Sequence, residues 1–293
     1  MIKYLEHKEI DFVKYDKCIA DSETSLIYAY SWYLDIVAEN WDALVLADYK
    51  MVMPLTHRKK YGIPYIFMPA WVQQLGVFSA IEIKQEIIKE FLKAIPRKFK
   101  SVDILFNYNN PFSNKYLSKR DNFILKINHP YELLFEGYNK LRKRSLKKAQ
   151  QLNLSIMEVD SAESIINLFK ENKGVELNKK ERDYELLNQL ILKGTEQQKV
   201  EMLCASDENN NLLGGVVFLK NKNRIIYLFS AVNMKGKESQ AITSIIDHII
   251  RKYCDSNMVL DFEGSMIPNI AKFFKSFGAI EENYYLYSSK RII

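Results

Sequence analysis

Apolar runs at Val200–Ser206, 214–219 and Arg224–Val232 are separated by polar turns at 207–211 and 221–223. This pattern predicts three consecutive strands joined by hairpins. The period then lengthens over 240–253, which predicts an amphipathic helix with Ser239 as its cap. A strand at 259–262, a helix at 267–277 and a closing strand at 284–287 follow. Upstream, a strand at 154–159 and helices at 162–172 and 183–192 complete the second half.

The first half gives a similar order. A strand at Ile2–Leu5 is followed by helices at 11–20 and 31–39, with Ser31 as a cap. A hairpin at 43–47 and 51–55 and extended segments at 65–68 and 72–78 come next. A helix is expected at 81–94, opened by a Ser79–Glu82 capping box and closed by Pro96. Strands at 101–108 and 123–127 end the series. Each half thus reads β-α-α-β-β-β-α-β, an α/β (α+β) protein without residue identity between its halves. The Asn-, Ser- and Lys-rich stretch 109–119 marks the boundary, giving an N-terminal domain over 1–120 and a C-terminal domain over 121–293.

Of the 293 residues, 47% are hydrophobic and 27% charged, a balance that excludes a disordered chain. The net charge of +6 suits an anionic partner such as a nucleotide, CoA, tRNA or an acidic headgroup. Cys18, Cys204 and Cys254 are odd in number and widely spaced, so neither a disulfide framework nor a metal site is expected, and a reducing cytoplasm fits. The N-terminus lacks the apolar stretch of a signal peptide, and no apolar run approaches a membrane span. GxxxxGK[ST], GxGxxG, GxSxG and HExxH motifs are missing, which argues against P-loop, Rossmann, α/β-hydrolase and zincin chemistry.

Four segments carry candidate chemistry. The loop from Val232 to Ser239, with Asn233, Lys235, Gly236 and Lys237, precedes a helix whose first amides and dipole suit a phosphate. Residues 138–152 read as a basic helix with Lys140, Arg144, Lys147 and Lys148 on one face and Leu141, Ala149 and Leu152 on another, either a solvated face or a grip for phosphates. Asp261 and Glu263 stand two apart on a strand and so share one side. Either is a candidate base, or a cap for the helix that Pro268 opens. Trp71, Gln73 and Gln74, in the aromatic stretch 61–78, line a cleft or fill the core.

Together, LDFEGS at 260–265, KFFKSFGA at 272–279, RKRSLKKA at 142–149, SWYLD at 31–35 and QQLGVF at 73–78 resemble FemABX-like proteins, a group with GNAT-type acyltransferase domains. The resemblance spans nearly the whole chain. It implies two tandem GNAT-like domains with mixed, mostly antiparallel sheets. It also implies transfer of an acyl or aminoacyl group, from acetyl-CoA or another acyl-CoA or from aminoacyl-tRNA, to a small-molecule or peptide amine. DNA, a metal and a transmembrane segment are not implied. The two central strands of such a fold splay around the donor's arm; here they are Arg224–Val232 and 259–262. On this reading the site lies in a cleft between the halves, against the 232–239 loop and the strand end at 261–265. Glu263, with Asp261 beside it, is the base, and Tyr285 and Tyr287 are candidate acids. Arg142 and Arg144 hold phosphates, and Trp71, Gln73, Gln74 and Lys275 contact substrate. Two departures stand out. Glu238 occupies a position that is small in GNAT pyrophosphate loops, and Lys275 is displaced by one residue from the family's F-K-x-x-F-G. A binding protein that kept the fold and lost its donor is the alternative.

Overall fold

The computed structural model describes residues 1–174, 180–264 and 266–290 and contains two mixed sheets, each with its own core. The chain divides into two compact units, residues 1–120 with 283–293, and residues 121–282.

The first unit contains β1 (Ile2–Leu5), α1 (Phe12–Asp21), α2 (Ser31–Val37), β2 (Asn40–Leu46), β3 (Met51–Lys60), β4 (Ile63–Ile66), β5 (Phe78–Ser79), α3 (Gln85–Ala94), β6 (Ser101–Phe106) and β7 (Leu117–Arg120). Its sheet runs β1-β2-β3-β4-β6, continues through the chain's last strand, β15 (Tyr284–Lys290), and ends on β7, while β5 adds to β3. Pairing is antiparallel except between β4 and β6. Alternation along β6 buries Val102, Ile104 and Phe106 against Ile88, Phe91 and Leu92 of α3. Burial of such side chains stabilises the layer by ~2 kcal/mol each. The edge strand β1 is pinned by Asp42 of β2, which accepts from the Tyr4 hydroxyl and the His7 amide.

Three expectations for this unit are corrected. Ser79 lies in β5, so no capping box forms with Glu82, and α3 begins only after Lys84. Ser31 is not a cap: its hydroxyl donates to Asp16, and Tyr30 holds the cap position. The closing strand does not extend the second half. β15 inserts between β6 and β7, where six and four register pairs give its backbone partners on both sides.

The second unit holds β8 (Phe123–Lys126), α4 (Tyr131–Glu136), α5 (Lys140–Gln151), β9 (Ser155–Glu158), α6 (Glu163–Phe169), α7 (Glu181–Glu196), β10 (Val200–Ser206), β11 (Leu212–Asn221), β12 (Arg224–Val232), α8 (Met234–Ser239), α9 (Ala241–Tyr253), β13 (Val259–Asp261), α10 (Pro268–Lys275) and β14 (Ile280–Glu281). The sheet order is β14-β8-β13-β12-β11-β10-β9. The expected hairpins β10–β11 and β11–β12 are present, and β12 and β13 run parallel, as a strand–helix–strand crossover through α9 requires. Ile245, Ile246, Ile249 and Ile250 of α9 are all fully buried on the sheet. No described helix is long and apolar enough to cross a membrane.

Candidate functional site

The sheet of the second unit opens at its centre. β12 and β13 pair at only three positions, Arg224 with Val259, Ile225 with Leu260 and Ile226 with Asp261. Beyond Ile226, β12 runs on to Val232 with no strand on that side among the described residues. A bulge lies next to the opening. Phe218 pairs with Tyr227 and Val217 with Phe229, so Leu228 is the extra residue on β12. A wedge in which β12 has no ladder partner beyond Ile226 among the described residues is the feature expected of the two splayed strands.

Asp261 closes the β13 ladder and is fully buried. One of its oxygens accepts from Arg224, and the other accepts from the Glu263 amide at 2.9 Å. Arg224 also donates to both oxygens of Glu282, at 2.8 and 3.1 Å. The guanidinium is therefore clamped between two carboxylates. Burial, with the Asp261 charge adding to it, holds the Glu282 carboxyl above its usual value although Arg224 draws it down. Asp261 is thus engaged in holding the fork between the strands.

Glu263 does not share a strand face with Asp261. β13 stops at Asp261, and Glu263 and Gly264 both take left-handed backbone, with φ of 57° and 62°. The expected alternation is broken because the chain turns around the Asp261 carboxylate. Left-handed backbone at a glutamate is costly, by ~1–2 kcal/mol, and re-aims its side chain. Gly264 is required twice over: by its φ, and because a Cβ there would lie 2.0 Å from the Asp121 carbonyl oxygen. Ser265, also part of the expected strand end, lies outside the described residues.

The segment after Val232 differs from the open loop expected. Met234–Ser239 forms the short helix α8, capped by Asn233, whose side-chain oxygen accepts from the Gly236 amide at 2.7 Å. The Lys237 amide donates to the Asn233 carbonyl at 3.0 Å, and Asn233 is itself tied by its side-chain amide to the Leu212 carbonyl. Gly236 is buried, and a Cβ on it would sit 2.1 Å from the Leu213 carbonyl oxygen. Its glycine serves close packing on β11, and its amide is already used. Lys235, Lys237 and Glu238 are exposed. Ser239 is buried and does not cap the next helix; its hydroxyl donates to the Gly236 carbonyl, and Gln240, at φ 65°, turns the chain from α8 into α9.

The basic helix α5 forms, with Asn139 as its cap, but its buried face is not the one expected. Arg142, Leu146 and Ala149 point inward, whereas Leu141 and Leu152 are 66% and 46% exposed. The Arg142 guanidinium, 4% exposed, lies 4.3 Å from the Phe273 ring centroid and 4.7 Å from that of Phe277. It donates to the Ser276 hydroxyl at 2.9 Å and to the Thr243 hydroxyl at 2.5 Å. Thr243 stands in the first turn of α9, so the guanidinium sits at the positive end of that helix. Among the described residues no carboxylate pairs with it, and burial draws its pKa down to about 10, leaving it cationic at neutral pH. Arg144 is exposed, since two residues along a helix is ~200° of rotation. Arg142 and Arg144 therefore do not form one grip.

Lys275 pairs with Glu281 at 2.7 Å and lies over the Phe123 ring. The remaining expected residues belong to the first unit. Gln74 is fully buried, donates to the Gln73 side chain at 2.8 Å and accepts from the Tyr108 amide. Trp71 is half-buried with φ of 65°, and its carbonyl accepts from the Tyr33 hydroxyl. Tyr285 and Tyr287 lie on β15, Tyr285 exposed and Tyr287 packed on Phe106, Phe112 and Tyr116.

Sequence reasoning missed Arg224, Tyr227, Thr243 and Ser276. A lone arginine opening the apolar run RIIYLFSAV was a usable signal of a buried ion pair. Tyr227, beside the bulge, packs among Phe218, Phe262 and Phe274, and burial pushes its phenol up despite a hydrogen bond with Ser230.

No protein-family model matches the sequence, and no curated protein matches it. Solved structures do match. A crystal structure of FemX superposes with a TM-score of 0.68 at 11% identity, covering 97% of each chain. The C-terminal domain of a putative lysylphosphatidylglycerol synthetase from Agrobacterium fabrum gives 0.55 at 9% identity, covering 94% of this chain and 90% of that one. L-PGS from Bacillus licheniformis gives 0.50 at 10% identity, covering 86% and 85%. The chain thus has a FemX-like, acyltransferase-type α/β fold, as the sequence resemblance implied. Likeness at this identity establishes the fold.

Proposed function

We propose that the protein transfers an acyl or aminoacyl group to an amine, drawing on an acyl-CoA such as acetyl-CoA or on aminoacyl-tRNA. The observation that carries this reading is Arg142: a buried cation without a carboxylate among the described residues, at the positive end of α9, in a FemX-like fold. Two like-signed features held together away from water favour an anion beside them. Both donor classes bring phosphates. In this account the donor's arm enters the wedge where β12 and β13 part, and a β12 amide polarises its carbonyl. The amine nitrogen attacks the carbonyl carbon, and the amine proton passes to Glu263, directly or through a water. The thioester or ester bond breaks as that proton goes on to the leaving sulfur or ribose oxygen, releasing CoA thiol or free tRNA. The paired left-handed turn at Glu263 and Gly264 supports that role, because strain of this kind gathers at functional positions. Lys235 and Lys237, exposed at the edge of α8, are proposed to add charge for the donor rather than a cradle of amides.

One observation favours the second reading, a binding protein that has lost its donor. The 233–239 segment spends the Gly236 and Lys237 amides on Asn233, and Glu238 places a negative charge beside them. The two readings separate on whether the parent binds CoA, acetyl-CoA or tRNA. Glu263→Gln, which keeps shape and most hydrogen bonds but removes the base, tests the assignment of Glu263. With an amine acceptor and acetyl-CoA or aminoacyl-tRNA, the variant is expected to lose ~10²–10⁴-fold in kcat, along with the acidic limb of the pH–rate profile. A variant as active as the parent, with the same profile, rules Glu263 out as the base.

A further inference from the structure

The chain has 42 Lys and Arg against 36 Asp and Glu. Six of those 42 cations stand on α5, whose sequence KLRKRSLKKAQQ contains no acid. The rest of the chain is therefore balanced, and the whole formal excess of +6 resides on one helix. Lys140, Arg144, Lys147 and Lys148 are exposed, and none of them forms an ion pair among the described residues. An ordinary solvated helix face offsets its cations with acids three or four residues away; α5 has no such acid within it. Lys140, Arg144, Lys147 and Gln151 follow one another at spacings of three and four along ~18 Å of helix. Beside that strip runs a second one, Leu141–Ser145–Lys148–Leu152, with exposed leucines at both ends.

We infer that this face of α5 docks on an anionic lipid surface. The charge selects a polyanion, and the leucines decide which kind. RNA is gripped through its phosphates and stacks its bases on aromatic rings or guanidinium planes; α5 carries no aromatic residue and one exposed guanidinium, Arg144, and exposed leucines add nothing to such a grip. At a bilayer the same leucines enter the boundary between headgroups and acyl chains, while the lysines meet the headgroup phosphates. The inward face, with Leu146 and Ala149, anchors the helix to its unit, so the face acts by lying on the surface. This inference does not depend on the proposed transfer, because Lys140, Lys147, Lys148, Leu141 and Leu152 have no part in it.

Co-sedimentation of the full chain with vesicles tests it. The protein is expected to bind vesicles of equal parts phosphatidylcholine and phosphatidylglycerol, to ignore phosphatidylcholine alone, and to be released by salt. Lys140→Gln with Lys147→Gln and Lys148→Gln should weaken binding by about a hundredfold. Leu141→Ser with Leu152→Ser should weaken it by about tenfold, leaving the salt dependence unchanged. All five side chains are exposed, so both variants should keep the parent's circular dichroism and melting temperature. Failure to bind the anionic vesicles overturns the inference, as does parental binding by the lysine variant. Leucine-variant binding equal to the parent also overturns it, and displacement by bulk tRNA in that case makes the face an RNA grip.

Discussion

Arg224→Leu is expected to be the most damaging single substitution in the second unit, lowering stability by ~3–5 kcal/mol. Arg224 is clamped between Asp261, which is fully buried, and Glu282. Removing the guanidinium leaves two carboxylates near one another with neither solvent nor a partner in its place. Burying a charge without a counter-charge costs far more than an exposed ion pair contributes. The variant's pH dependence identifies the cause. Burial already raises Glu282 in the parent, and a carboxyl raised in the folded state holds its proton more tightly there than in the unfolded chain. Its stabilising contribution is therefore complete below the unfolded value, near pH 4, and is lost as pH rises through the folded value. Without Arg224, which draws Glu282 down, that window widens upward. Urea denaturation should find the variant closest to the parent at about pH 4–5 and furthest from it above pH 7. Replacing Asp261 by Leu as well should recover part of the loss, because an apolar pair carries no desolvation penalty. A deficit that is small, or equal at both pH values, would show that the triad does not hold the fork.

Gly264→Ala is expected to be nearly as costly, at ~3 kcal/mol, which is large for the addition of one methyl group. The left-handed φ disfavours any Cβ, and the new carbon would meet the Asp121 carbonyl oxygen at 2.0 Å and the Asn122 Cα at 2.6 Å. Both neighbours are main chain, which cannot rotate away as a side-chain tip does. Relief requires β8 to shift from β13 or the turn after Asp261 to open, and either change moves Glu263. Thermal unfolding should show a drop of ~6–10 °C. An alanine variant as stable as the parent would mean that the turn at 263–264 is not held as described.

The part of the fold most legible in the sequence was the part with local causes. The hairpins β10–β11–β12 announce themselves through apolar runs and polar turns, and α9 through its repeated isoleucines. The meeting of β12 and β13 followed from family resemblance, and the three-pair ladder between them agrees with it. What was illegible depended on distant partners. The 233–239 segment reads as a loop because it has glycine and lysines but little apolar pattern; its helix exists because Asn233 caps it and Leu213 receives Gly236. Periodicity alone favoured leucines over Arg142 for the inner face of α5. The structure inverts this because two hydroxyls and two phenyl rings, all from residues more than a hundred positions away, receive the guanidinium. Similarly, nothing local in the closing strand states which sheet has a vacancy between β6 and β7.

The candidate base shows the same division. A Glu two residues after a buried Asp reads as strand alternation, and the sequence contains no cue that Asp261 will instead accept the Glu263 amide and turn the chain. Gly264 was the one visible sign of irregular backbone there, and its steric reason lies at Asp121, far away in sequence.

The central claim is that Arg142 is kept in the core for an anionic donor and not for stability, and Arg142→Met tests it most directly. Methionine matches much of the arginine stem and its contact with Phe273 and Phe277, and it removes a buried charge that no carboxylate among the described residues offsets. The hydroxyls it leaves behind have other partners: Ser276 donates to the Phe273 carbonyl, and Thr243 lies 3.4 Å from the Gln240 side-chain oxygen. The account therefore predicts a melting temperature equal to or above the parent's. Titration calorimetry of the parent with CoA, acetyl-CoA and aminoacyl-tRNA should show binding to at least one of them, weakened by ~10–100-fold in the variant. A parent that binds none of the three, or a methionine variant that binds as well as the parent while melting several degrees lower, would contradict it.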